Sequence, residues 1–71
     1  MLNKRSITLA GHATSLALEP EFWAALEAMA AGAGISLAAL IARIDAGRAG
    51  RPLASACRVA ALRWATGRAG G

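Results

Sequence analysis

Cysteine and histidine occur once each in the 71 residues, as Cys57 and His12. One thiol cannot close an intrachain disulfide, and one thiol with one imidazole cannot make a structural zinc site within a single chain. No cofactor or metal is expected. Acidic residues are also few: Glu19, Glu21, Glu27 and Asp45. No acid follows Asp45, whereas Arg48, Arg51, Arg58, Arg63 and Arg68 all do, so the C-terminal third is purely cationic. There is no Ser/His/Asp or Cys/His set, no pair of acids in an apolar setting, and no phosphate-cradling glycine loop followed by lysine, which argues against an enzyme. Cys57 has no base paired with it and reads as a small buried hydrophobe. Long hydrophobic runs are missing too. Ala28 to Ala42 is uncharged but too short for a bilayer span, and Gly32, Gly34 and Ser36 interrupt it. Lys4-Arg5 and the mildly apolar residues after it make a poor signal peptide, because Ser6, Thr8, His12, Thr14 and Ser15 break the run. A cytoplasmic, non-membrane protein is the expectation.

What remains is a chain with 56% hydrophobic residues, much of it alanine, and a formal net charge of +4. A chain this short buries a marginal core alone and needs disulfides, metal or association. With the first two excluded, a homodimer is expected. The basic balance favours a polyanionic partner, nucleic acid before anionic membrane, with simple solubility as the plainer reading.

Along the chain, Thr14 to Leu18 alternates, with Leu16 and Leu18 on one face and Ala13, Ser15 and Ala17 on the other. That is the period of a strand with one buried face. A strand at 14–18 followed only by helices has its nearest obvious mate in a second molecule. Upstream, Ile7 and Leu9 alternate with Ser6, Thr8 and Ala10. Residues 1–13 are therefore either an N-terminal arm or an extra strand folded back through a Gly11-His12 turn. Lys4 and Arg5 form either a phosphate-gripping pair or a solvated terminus. His12 reads as a turn residue.

Pro20 opens helix one, expected over 20–31, with Phe22, Leu26 and Met29 as its apolar stripe and Trp23 beside it. Ala31-Gly32-Ala33-Gly34 ends it, one glycine forming a left-handed cap. Ser36 caps helix two (36–46), whose stripe is Leu37, Leu40, Ile41 and Ile44. A basic, glycine-interrupted linker, Gly47 to Arg51, leads to Pro52 and helix three (52–66), with Leu53, Cys57, Ala60 and Trp64 on one face. Residues 67–71 are expected to fray. Both tryptophans read as core or interface residues.

Strand, proline-started helix, Gly-x-Ser turn and second helix, over residues 14–46, resemble the ribbon-helix-helix domain family of Arc/MetJ type. Lys4-Arg5-Ser6, Gly11-His12-Ala13-Thr14-Ser15 and Leu18-Glu19-Pro20-Glu21-Phe22-Trp23 resemble more specifically the small bacterial members. Leu53-Ala54-Ser55-Ala56-Cys57-Arg58-Val59 is similar to the third helix those proteins append. The resemblance implies a mainly α fold with a short β-ribbon: an intertwined ribbon-helix-helix homodimer plus a C-terminal third helix. Its core would be built from Leu16, Leu18, Phe22, Leu26, Leu40, Ile41 and Ile44.

It further implies a DNA-binding transcriptional regulator that lays an antiparallel ribbon in the major groove, which is wide enough for two strands. Ala13, Ser15 and Ala17 would then face the bases. Amides of Gly34, Ile35, Ser36 and Leu37 would meet phosphate, joined by Lys4 and Arg5. Two methyls and one hydroxyl discriminate bases weakly, so specificity would come from the cations or DNA shape. The rival reading is a dimeric protein-interaction module, antitoxin-like or scaffolding, that does not read DNA.

Overall fold

The computed structural model describes residues 1–70, the side chains of 68–70 excepted. Two strands, β1 (Asn3–Leu9) and β2 (His12–Leu18), are followed by three helices, α1 (Pro20–Ala33), α2 (Leu37–Ala46) and α3 (Leu53–Gly70). β1 and β2 form an antiparallel two-stranded sheet running from Asn3 opposite Leu18 to Leu9 opposite His12. The ribbon strand therefore has a mate within its own chain, which corrects the expectation that its nearest mate lies in a second molecule. It also decides between arm and strand for residues 3–9.

The turn sits at Ala10-Gly11, one residue earlier than the expected Gly11-His12. Ala10 has φ 52° and Gly11 φ 80°. Two consecutive left-handed residues are what a type I′ turn requires, because its twist matches that of the flanking strands. Glycine takes this conformation freely, whereas alanine is strained by its Cβ. His12 is thereby the first, exposed residue of β2 rather than part of the turn.

Period-two alternation gives the hairpin one buried face, carrying Ile7, Leu9, Leu16 and Leu18. Trp23, Leu26 and Ala30 of α1, Leu40 and Ile41 of α2, and Cys57 of α3 complete the core. Trp23, 1% exposed, lies at the centre of the α1 face, while Phe22 and Met29 flank it half-buried. This reverses the expected order, because Trp23, Leu26 and Ala30 are spaced i, i+3, i+7 and share one meridian. Leu16, Leu18, Leu26, Leu40 and Ile41 are buried within a single chain, and Phe22 and Ile44 pack against them.

α1 runs two residues beyond its expected end, and the cap is Gly34 (φ 69°) rather than Gly32. The Ile35 N–H donates to the Ala30 carbonyl at 3.0 Å and that of Gly34 to Ala31 at 3.2 Å, closing a Schellman motif. α2 follows at 98° to α1. α3 buries Ala56, Cys57 and Ala61, with Leu53, Ala60 and Trp64 half-buried, so its inward face is rotated from the expected stripe. It continues through Gly70, past the expected end at 66. Glycine weakens a helix by about 1 kcal/mol without forbidding it, and no proline intervenes. Of the tail expected to fray, Gly71 lies outside the described residues. Among the described residues no single helix is long and apolar enough to cross a membrane.

Candidate nucleic-acid interface

The sheet has one face on the core and one on solvent, and the register says which residues share the outer one. Lys4 stands opposite Ala17, Ser6 opposite Ser15, and Thr8 opposite Ala13. All are exposed except Ala17, which is half-buried. Ala13, Ser15 and Ala17 thus occupy the expected face. Ser6 and Thr8, not among the expected site residues, join them and raise its hydroxyls from one to three. No acid lies on it.

Adjacent strand residues point oppositely, so Arg5 does not accompany Lys4. The Arg5 guanidinium lies 4.4 Å from the centroid of the Trp23 ring and 3.7 Å from the Glu27 carboxylate. Trp23 in turn donates its indole N–H to the Asn3 carbonyl at 2.8 Å. Arg5 therefore clamps β1 onto α1, and the expected Lys4-Arg5 phosphate pair is separated by the strand's own geometry.

At the start of α2, Ser36 is the N-cap, its Oγ accepting the Ala39 N–H at 3.0 Å. The amides of Gly34 and Ile35, expected to meet phosphate, are already committed to the carbonyls that end α1. Those of Ser36, Leu37 and Ala38 have no protein acceptor among the described residues. They form the anion-ready end of the α2 dipole.

Three of the four acids are held by arginines: Glu19 by Arg58, Glu27 by Arg5 and Asp45 by Arg48. Glu19 links the strand–helix junction to α3. Its carboxyl is held below the ordinary range by its own backbone N–H and then by Arg58, whose Nε and one terminal nitrogen each lie 3.0 Å from the same oxygen. Cys57 is fully buried, and burial pushes its thiol up, away from the reactive thiolate. Among the described side chains Lys4, Arg43, Arg51 and Arg63 have no acidic partner. The surplus positive charge is therefore concentrated on these.

The family model described as "Ribbon-helix-helix domain" matches residues 2–65. The chain belongs to the ribbon-helix-helix domain family. Ribbon-helix-helix proteins are in general DNA-binding transcription regulators, a non-enzymatic fold that typically works as a homodimer. No curated protein and no solved structure matches this ribbon-helix-helix chain. In this chain the ribbon consists of β1 and β2, and its outer face bears Lys4 with small and hydroxyl side chains.

Proposed function

We propose that this chain is a homodimeric, DNA-binding transcription regulator that grips DNA chiefly by its phosphates and reads bases weakly. The observation that carries this reading is the outer face of the hairpin. Lys4, Ser6, Thr8, Ala13, Ser15 and Ala17 form an acid-free, hydroxyl-rich surface on a two-stranded element. Pairing of β2 with β2 of a second copy would extend the sheet to four strands, with the two β1 strands outermost. At about 4.8 Å per strand the outer strands stand about 14 Å apart, wider than the roughly 12 Å major groove. The central β2 strands then lie over the groove with Ala13, Ser15 and Ala17. The β1 strands carry Lys4, Ser6 and Thr8 to the phosphates along its edges. Methyls touch thymine, and a serine hydroxyl donates or accepts without strong preference, so direct readout is thin. Amides of Ser36, Leu37 and Ala38 add a backbone contact where α2 begins.

Fluorescence anisotropy with duplexes of unrelated sequence, over a salt series, tests this. Binding is expected to all duplexes, with affinity falling steeply as salt rises. Lys4→Ala removes two phosphate contacts per dimer and is expected to flatten the log–log salt slope by roughly 2. Absence of binding at low salt, in a sample that sediments as a dimer, would refute DNA binding and favour the protein-interaction module. A salt slope unmoved by Lys4→Ala would refute the placement of β1 at the groove edges.

A further inference from the structure

A cleft of about 350 Å³ opens between the α2–α3 linker and the first turns of α3, and no residue of the hairpin lines it. Arg48, Arg51 and Arg63 stand around it, over a floor of Ala56, Val59 and Ala60. We propose that this cleft binds a small-molecule phosphate dianion whose apolar body rests on that floor.

The charges set the valence. Arg48 donates its Nε–H to Asp45 at 2.6 Å and a terminal N–H to the Arg51 carbonyl at 2.9 Å. Asp45 offsets its charge, while Arg51 and Arg63 have no acidic partner among the described side chains. Two uncompensated positive charges match one dianion. Arg48 is also held in place: two of a guanidinium's five donors are committed, leaving three to present to a ligand without further ordering. Arginine is the side chain suited to phosphate, which it meets with two parallel N–H···O bonds. The floor supplies the second half of the specificity. Its three residues are spaced i, i+3, i+4 on α3 and carry only small aliphatic side chains, an apolar surface against which charged groups interact more strongly than in bulk water. The volume is in the range of small-ligand pockets.

The test needs no DNA, so its failure and that of DNA binding are separable. Phenyl phosphate and inorganic phosphate are titrated calorimetrically into the full chain at pH 8 and low salt. One phenyl phosphate per chain is expected, bound at least fivefold more tightly than inorganic phosphate. Arg63→Gln and, independently, Arg51→Gln are expected to weaken it at least tenfold, with unchanged far-ultraviolet dichroism. Arg43→Gln, which removes the same charge outside the cleft, is expected to change affinity less than twofold. No binding of phenyl phosphate at millimolar concentration overturns the proposal. Equal losses in Arg43→Gln and Arg63→Gln overturn it as diffuse electrostatics, and equal affinity for the two phosphates overturns the role of the floor. In a final arm, duplex DNA is added to the phenyl phosphate complex. Retained binding supports a small-molecule ligand, and stoichiometric displacement assigns the cleft to the DNA backbone instead.

Discussion

Replacing Trp23 by phenylalanine tests the joint between β1 and α1 on which the position of Lys4 depends. The substitution removes the indole N–H that donates to the Asn3 carbonyl at 2.8 Å, a bond whose loss costs about 1 kcal/mol. The side chain is 1% exposed, so its lost volume leaves a void. Phenylalanine is smaller by roughly 40 Å³, which at about 24 cal/mol per Å³ of residual cavity adds about 1 kcal/mol. The smaller ring also offers the Arg5 guanidinium, 4.4 Å from the Trp23 centroid, a weaker π-face, for about 0.5 kcal/mol more. The expected loss is about 2–3 kcal/mol, large against the roughly 4–11 kcal/mol of a domain this size. Urea unfolding followed by circular dichroism, at one fixed protein concentration, reads it as a fall in midpoint with an unchanged slope. A loss below about 1 kcal/mol would refute the reasoning. It would mean that neither the buried ring nor its bond to Asn3 holds the start of β1.

Three further expectations rest on separate features. Ala10→Asn places a residue that tolerates the left-handed region at φ 52°, and is expected to raise stability by about 0.5–1 kcal/mol in the same urea assay. A loss would show that residues 3–9 do not form the paired strand. Ser36→Ala removes the oxygen that accepts the Ala39 N–H and should cost about 1 kcal/mol, with thermal melting as a second readout. The Glu19 carboxyl is depressed in the folded chain, so its stabilising effect is complete above the ordinary glutamate value. That effect drains away as pH falls through the depressed one. The urea midpoints of the native chain and of Glu19→Gln should therefore begin to converge below about pH 4.5 and meet only below the depressed value, and a gap independent of pH would contradict the Arg58 contact.

The sequence announced the elements more clearly than their partners. Thr14 to Leu18 alternates strictly, so the outer placement of Ala13, Ser15 and Ala17 was legible from period two alone. The hairpin is legible only as one of two readings, because its turn puts alanine where asparagine or glycine is the usual signal. The glycine beside it then drew the expected turn one residue too far. Ser6 and Thr8 are hidden for the same reason: only a paired β1 gives them a face. Arg5 adjoins Lys4 in sequence, but in a strand adjacency means opposite faces. The commitment of the Gly34 and Ile35 amides follows from the cap itself, since in a Schellman cap the left-handed glycine and the residue after it each donate their N–H to the last turn. On α1, Phe22 and Trp23 are neighbours on the helical wheel, and only packing against the hairpin selects Trp23 as the centre. The arginine cleft joins residues from a linker and the far side of a helix, a proximity that no local spacing displays.

The Ala10-Gly11 turn also bears on the order of events as the chain matures. Strands joined by two residues meet with almost no loop-closure entropy, and such hairpins assemble in about 1–10 μs. The extended segment is thus templated by its immediate upstream neighbour, long before a second polypeptide could diffuse to it. An apolar surface of Ile7, Leu9, Leu16 and Leu18 is then ready for α1 and α2 to condense upon. Because both strands belong to one chain, this pairing step is unimolecular, and its rate is expected to be independent of protein concentration.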